Sequence, residues 1–240
     1  TGELFLAMEL VDGSPLSEVI ATGAFEPGRA ARIVAAIAEA LGAAHRKGIV
    51  HRDVKPENIV LARTASSEIV PKLVDFGVAK MRSLDGRSTL TRIGVALGTT
   101  AYMSPEQARG DALVDGRADV WGLAAVLFEV LAGRCPYEAP TDHQILVQIL
   151  TQPAPPLHEL VPGVPQALSE IVRAGLEREI ERRLPMAAFR ERLLAFVDRL
   201  GRPLPALSVE TMSLSEDKPP PPSVDARGMS SVVELDAEDF

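Results

Sequence analysis

The feature that most limits the possible folds is an apolar segment in the middle of the chain. Between residues 120 and 131 the only charged side chain is that of Glu129. The segment is shorter than the ~20 apolar residues that cross a bilayer. A helix that is apolar on nearly all sides must be surrounded by protein. The sequence therefore predicts a central, buried helix over residues 119–131 of a mainly helical domain.

Amphipathic patterns on both sides of this segment predict helices that pack around it. Ile33, Ile37 and Leu41 form the apolar stripe of a helix that opens at Pro27. Ser14 and Pro15 are predicted to be the N-cap and first residue of a shorter helix. Three further helices are expected at about 141–151, capped by Thr141, at about 165–177 and at about 185–200. The proline-rich residues 153–165 are expected to form a rigid connector.

Two short β-branched runs, residues 59–61 and 72–74, flank a polar turn and predict a β-hairpin. A third apolar run, residues 4–8, predicts a strand whose partners are expected upstream. Residues 81–104 are rich in Ser, Thr, Gly and Arg and are expected to form a long functional loop. The predicted fold class is α+β, mainly helical, with one small hairpin.

Composition excludes several classes of protein. The net charge is −8, and residues 201–240 hold 8 of the 33 acidic but only 3 of the 25 basic residues. The remainder is nearly balanced, so no basic nucleic-acid footprint is present. One cysteine, Cys135, permits no internal disulfide and is expected to be a small buried apolar residue. No signal peptide is visible, so cytoplasmic localisation without membrane contact is expected for this segment.

Three motifs in fixed order carry the chemistry. HRDVKPEN occupies residues 51–58, DFG begins 22 residues after Asp53, and SPE follows at residues 104–106. Asp53, Asn58 and Asp75 are hard oxygen donors of the kind that hold Mg²⁺ together with phosphate and water. Lys55 adds a point charge suited to a phosphoryl oxygen. Each motif alone is more often a turn or a surface cluster, but the three together indicate phosphoryl transfer.

At this point the chain resembles the protein kinases, and in particular the bacterial Hanks-type Ser/Thr kinases, over residues 2–200. The resemblance rests on HRDVKPEN, DFG and SPE as catalytic loop, metal loop and substrate-binding loop, and on GTTAYMSPEQARG at residues 98–110. It implies a kinase C-lobe at residues 14–202 with a long activation loop. Residues 1–13 would then be the last N-lobe strand and the hinge, and residues 203–240 a proline-rich acidic linker or disordered tail.

The resemblance also implies roles for individual residues. Asp53 would be the catalytic base, Lys55 would steady the transferring phosphoryl group, and Asn58 and Asp75 would bind Mg²⁺, or Mn²⁺ in its place, with ATP. Thr99 would bridge Asp53 and Lys55. The other implied roles are the spine members His51 and Phe76, the brace Asp119, the ion pair of Glu106 with Arg183, the gatekeeper Met8, the adenine-reading backbone of Glu9 and Val11, and the adenine floor at Val60.

Arg52 before the catalytic Asp implies control by a phosphate on the activation loop. Ser88, Thr89 and Thr91 cluster there, with Thr91 the first choice and Thr89 the second. Arg182 remains an alternative to Arg183 as the partner of Glu106, because the usual Asp-Pro turn is replaced by Glu179-Ile180-Glu181 before them.

No glycine-rich loop or strand lysine precedes the hinge within these residues, so we expect the 240 residues alone to have negligible activity. Protein substrates bearing Ser or Thr, and self-association for trans-autophosphorylation, are the partners implied. The alternative function is a non-catalytic kinase-like module that binds partners. A metal-dependent hydrolase is disfavoured because His45, His51, His143 and His158 form no plausible ligand set.

Overall fold

The fold is known from a computed structural model that describes residues 9–23, 25–64, 68–75 and 99–201, with Thr99 described in its backbone only. The elements in chain order are β1 (Gly13–Pro15), α1 (Leu16–Ile20), α2 (Pro27–His45), β2 (Ile59–Arg63), β3 (Ile69–Leu73), α3 (Pro105–Arg109), α4 (Arg117–Ala132), α5 (Asp142–Thr151), α6 (Leu157–Leu160), α7 (Gln166–Gly175) and α8 (Met186–Arg199). The mainly helical α+β class is confirmed.

The predicted hairpin is present as β2 and β3, which pair antiparallel with Val60 opposite Lys72. A third strand, which the sequence analysis missed, joins its edge: β1 pairs antiparallel with β2, with Ser14 opposite Leu61. The prediction of Ser14 as a helix N-cap was therefore wrong. The N-cap of α1 is Pro15, which makes no side-chain capping hydrogen bond. Pairing with residues far along the chain outweighs the local cap signal at Ser14.

The apolar segment forms α4, and its side chains are buried on nearly every side. Trp121, Leu127 and Phe128 have no exposed surface. Helices α2, α7 and α8 pack against α4, and α2 also packs along α8. At Gly175 of α7, an added Cβ would lie 2.6 Å from the Cβ of Ala124 in α4. Close packing of small residues thus allows the surrounding helices to enclose α4.

The predicted helix ends agree with the structure at two starts. Helix α2 begins at Pro27, and the Glu26 carboxylate accepts from the backbone N–H groups of Gly28 and Arg29. Helix α5 is capped by Thr141, whose side chain accepts from the N–H of Gln144. The proline-rich connector differs from expectation in containing the short helix α6.

Candidate active site

The carboxylate of Asp119, in the first turn of α4, holds the backbone of the catalytic loop. Its Oδ2 accepts from the N–H of His51 at 2.9 Å, and its Oδ1 accepts from the N–H of Arg52 at 2.7 Å. Oδ2 also lies 2.7 Å from Nε2 of His45, at the end of α2. Asp119 is almost fully buried. Three elements that are distant in sequence therefore meet at one carboxylate, which gives the loop a rigid support.

The loop that Asp119 holds includes a strained residue. Arg52 has φ of 63°, a left-handed conformation that a residue with a side chain adopts at a cost of ~1–3 kcal/mol. The following N–H, that of Asp53, donates to Nδ1 of His51 at 3.3 Å. Nδ1 is thus an acceptor, so Nε2 carries the proton and donates to the C=O of Val74 at 3.2 Å. Buried His51 thereby connects the loop at residues 51–58 to the backbone just before Asp75.

Asp53, Lys55 and Asn58 converge at the surface of this loop. Nδ2 of Asn58 donates to the backbone C=O of Asp53 at 2.8 Å and to its Oδ2 at 3.2 Å. Nζ of Lys55 lies 3.4 Å from the same Oδ2. The side chains of Asp53 and Lys55 are each 19% exposed, so both can still meet a ligand. One carboxylate is thus oriented by an amide and an ammonium group.

Asp75 lies next to Asn58 through backbone pairing. The N–H of Val74, the residue before Asp75, donates to the C=O of Asn58 at 2.9 Å. Asp75 is exposed and has φ of 57°, a second left-handed residue at the site. Both donor contacts of the Asn58 side chain use Nδ2, so Oδ1 is the atom of this side chain that could bind a metal.

The donor chemistry of these residues fits Mg²⁺. Within the described ranges no group of three or more His, Cys, Asp or Glu side chains could hold a metal ion. An amide oxygen from Asn58 and a carboxylate from Asp75 instead match a hard cation that keeps waters and phosphate oxygens as its other ligands. The residues present thus suit a magnesium ion that arrives with a nucleotide.

Glu106 of α3 pairs with Arg183 in the interior. Nη1 and Nη2 of Arg183 lie 2.7 and 3.0 Å from the two carboxylate oxygens of Glu106. Burial alone would raise the pKa of Glu106, but the hydrogen bonds and charge of Arg183 outweigh it and lower that pKa. Of the two arginines considered, Arg183 is the one that makes this pair, and Arg182 binds exposed Glu179.

Two residues that the sequence analysis did not assign to the site contact it. His45 donates from Nε2 to the carboxylate of Asp119. Gln107 donates from Nε2 to the C=O of Arg52 at 2.8 Å, and with Ser104 it forms a capping box at the start of α3. The S-x-x-Q spacing was a visible signal for the cap. No local signal marks the contact with Arg52, which is 55 residues away.

A second carboxyl group, that of Glu129, lies beside the residues that precede α3. The hydroxyl of Tyr102 donates to Glu129 of α4. Burial raises the pKa of Glu129, against the opposing effect of that hydrogen bond. Burial, followed by the charge of Glu129, raises the pKa of the Cys135 thiol to about 12. A thiol that stays protonated is a poor nucleophile, which agrees with the prediction that Cys135 packs as a small apolar residue.

At the predicted hinge, Oε1 of Glu9 lies 2.7 Å from Nζ of Lys72 in β3. Val11 and Val60 are half-buried. The predicted residues Met8, Phe76, Thr89 and Thr91 lie outside the described residues, as do the tail at 203–240 and the side chain of Thr99.

No helix in the described part of the chain has the length and apolar character needed to span a membrane.

Comparison with known proteins agrees with this geometry. The family model described as "Protein kinase domain" matches residues 1–192. The chain is 38% identical over 82% of its length to the serine/threonine-protein kinase pkn2 of Myxococcus xanthus, covering 25% of that protein. It is 44% identical over 74% of its length to PknD of Mycobacterium tuberculosis, covering 26% of it. It is also 37% identical over 95% of its length to PknH of the same organism, covering 36% of it.

The matched regions are therefore about a quarter to a third of the curated relatives. The residues matched by the family model, 1–192, include the loop held by Asp119 and the pair of Glu106 with Arg183. On this evidence the chain belongs to the protein kinase family, among its bacterial Hanks-type Ser/Thr members.

Proposed function

We propose that the chain contributes the catalytic C-lobe of an enzyme that transfers the γ-phosphate of ATP to Ser and Thr hydroxyls of proteins. The observation that carries the proposal is the convergence of Lys55 and Asn58 on the carboxylate of Asp53. A carboxylate held in this way can orient a hydroxyl and accept its proton. The nearby ammonium group can offset charge on a transferring phosphoryl group.

The metal and nucleotide have their own proposed contacts. Asn58 and Asp75 would hold Mg²⁺, or Mn²⁺ in its place, which supplies charge neutralisation at the phosphates. The backbone C=O of Glu9 and N–H of Val11 would read the adenine edge, with Met8 as gatekeeper and Val60 beneath the ring. Thr99 would favour hydroxyl acceptors. These roles rest on the family pattern and on the positions of the described residues.

Control by phosphorylation is proposed through Arg52. Its Nη2 donates to the C=O of Val114 at 3.3 Å. Within the described part of the chain, its buried Nε has no hydrogen-bond partner. A phosphate on Thr91, or on Thr89, would supply charged acceptors for such a guanidinium. Mass spectrometry of the active protein would then find phosphate on one of these threonines, and none there would contradict this role.

The decisive experiment is Asp53→Asn in the complete gene product. Phosphate transfer to a Ser/Thr substrate should fall by ~10²–10⁴-fold, since the proton acceptor is lost. Binding of ATP with Mg²⁺ should change little, because Asn58 and Asp75 remain. Asp198→Asn makes the same chemical change at an exposed position on α8 and should leave both unchanged. Unchanged turnover in Asp53→Asn would remove the proposal, and nucleotide-independent partner binding alone would favour the non-catalytic module.

Three further parts of the proposal concern the activity of the 240 residues by themselves, self-association and the site of action in the cell. The 240 residues contain no glycine-rich loop, so we propose that they alone transfer phosphate poorly and that the complete gene product is the proper enzyme to assay. Trans-autophosphorylation through self-association and a cytoplasmic site of action are proposed with it. A comparison of rates at two protein concentrations would test the former, because trans reaction rates rise with concentration.

A further inference from the structure

The peptide group that precedes Asp53 has both of its polar atoms held by side chains. Its N–H, that of Asp53, donates to Nδ1 of His51 at 3.3 Å. Its C=O, that of Arg52, accepts from Nε2 of Gln107 at 2.8 Å. The preceding N–H, that of Arg52, is held by Asp119. Three side chains therefore fix the backbone that carries the Asp53 side chain. Of these three, Gln107 belongs to the proposed substrate-binding segment, residues 99–110.

The orientation of the Gln107 amide is determined by its other end. Oε1 accepts from the N–H of Ser104 at 3.2 Å and from its hydroxyl at 3.1 Å. A reversed amide would place its NH₂ against the N–H of Ser104 and its oxygen against the C=O of Arg52, and both of those bonds would be lost. Gln107 thus connects the N-cap of α3 to the catalytic loop in a single orientation.

A contact at this carbonyl matters because Arg52 is held at φ of 63°. Such a conformation persists only where the surroundings hold it in place. We propose that Gln107 is a positioning residue, which sets the orientation of the Asp53 carboxylate and makes it depend on the substrate-binding segment. This inference rests on the proposed function, because it assigns Gln107 a part in the reaction of Asp53.

The choice of variant follows from a small cavity between the two segments, lined in part by Arg52, Asp53, Tyr102, Met103 and Gln107. Alanine at position 107 would enlarge this space and let water bind the exposed carbonyl. Gln107→Glu keeps the volume and keeps an oxygen acceptor for Ser104. It replaces only the donor, so that an oxygen faces the C=O of Arg52.

The matched control is Gln144→Glu, the same chemical change at the corresponding exposed position of α5, where Oε1 accepts from the hydroxyl of the cap Thr141 at 3.2 Å. In the complete gene product, Gln107→Glu should lower kcat by about tenfold or more, since small misplacements of reacting groups are costly. Its KM for ATP should stay within about twofold, and its melting temperature should stay near that of the parent, because glutamate still completes a capping box. Gln144→Glu should also keep the melting temperature near that of the parent and should leave kcat within about twofold.

A pH profile separates a donor effect from a general structural one. Protonated glutamic acid can again donate a hydrogen bond to the C=O of Arg52. The kcat ratio of Gln107→Glu to parent should therefore rise as the pH falls. An unchanged kcat, or a loss that is independent of pH and matched by a lower melting temperature, would overturn the proposal.

Hydrogen exchange tests the same contact without turnover. In the 240-residue chain, the amide of Asp53 should exchange about tenfold faster in Gln107→Glu than in the parent, and should be unchanged in Gln144→Glu. An equal exchange rate in all three proteins would overturn the positioning role even if the parent transfers phosphate. If Gln107→Glu exchanges faster than a parent that itself transfers no phosphate, the contact is supported while the proposed function fails.

Discussion

The guanidinium group of Arg183 places Nη1 and Nη2 on the two oxygens of Glu106, 77 positions earlier in the chain, at 2.7 and 3.0 Å. The arginine also donates to the C=O groups of Glu177 and Arg117, and its charge lies over the Trp121 ring at 5.1 Å. Neither side chain of the pair is exposed beyond 2%. The start of α3 is therefore joined to the interior by a pair whose hydrogen-bonding groups are nearly all used.

Loss of this arginine should be costly. Arg183→Met leaves the Glu106 carboxylate buried without its partner, and removal of one member of a buried pair costs ~3–5 kcal/mol. Denaturant unfolding of the 240-residue chain measures the change. Arg182→Met is the matched control, because its partner Glu179 is exposed and such pairs contribute at most ~1 kcal/mol. Equal effects of the two substitutions would contradict the assigned burial.

Two carboxyl groups, those of buried Glu106 and half-buried Glu129, should respond to pH in opposite ways. The folded-state pKa of Glu106 lies below its ordinary value of 4.5, so its charged form stabilises the fold above that pH, and this contribution is lost as the pH falls through the lowered pKa. The folded-state pKa of Glu129 is raised, so its contribution is present at acid pH and is lost as the pH rises through the raised pKa.

Melting temperatures of glutamine variants at several pH values check both signs. At neutral pH, Glu106→Gln should melt below the parent and Glu129→Gln at or above it. Both differences should shrink towards acid pH, where each parent carboxyl group becomes as neutral as the amide. Differences of one sign, or differences that do not vary with pH, would show that the two environments are misassigned.

The brace on the catalytic loop should be sensitive to a single atom. Asp119→Asn puts an NH₂ group among three donors, those of His51, Arg52 and His45. A buried donor left without an acceptor costs ~1–3 kcal/mol, so a loss of about that size in unfolding free energy is expected, with a fall in phosphate transfer.

Asp115→Asn makes the same change just before α4, where the carboxylate accepts one exposed bond from the N–H of Arg117. It should cost no more than ~1 kcal/mol and leave activity intact. A similar loss in both variants would mean that the contacts of Asp119 carry no special weight.

Three helical glycines should respond differently to alanine. At Gly175 a Cβ would lie 2.6 Å from the Cβ of Ala124, and at Gly122 it would lie 3.0 Å from Val54, which follows Asp53, the proposed base. Overpacking of this kind costs ~1–3 kcal/mol. At Gly42 the nearest atom would be 3.8 Å away, so Gly42→Ala should stabilise the protein by ~0.5–1 kcal/mol through helix propensity. Destabilisation at Gly42 to the same degree would contradict this packing.

Gly122→Ala should also reduce phosphate transfer, because Val54 must move and Asp53 with it. Gly175→Ala changes packing on the far side of α4, so its activity per folded molecule should be unaffected. Activity measured at a temperature where all variants are folded separates the two effects.

Local patterns predicted several elements correctly because those elements depend on neighbouring residues. The start of α2 at Pro27 and the cap of α5 at Thr141 follow from side chains within one helical turn. The hairpin follows from two short runs of mainly apolar residues on either side of a polar turn. Strand β1 was missed because its partner β2 lies more than 40 residues further along the chain.

What the sequence by itself determined is the type and order of the reactive groups: Asp53, Lys55, Asn58 and Asp75, on a helical scaffold with a buried central helix. The tertiary structure alone decided that Arg183 and not Arg182 meets Glu106, that His45 joins Asp119, and that Gln107 holds the carbonyl of Arg52. The physical reason is that hydrogen bonds and ion pairs between distant residues depend on how helices pack around α4, and no local pattern of residues records that packing.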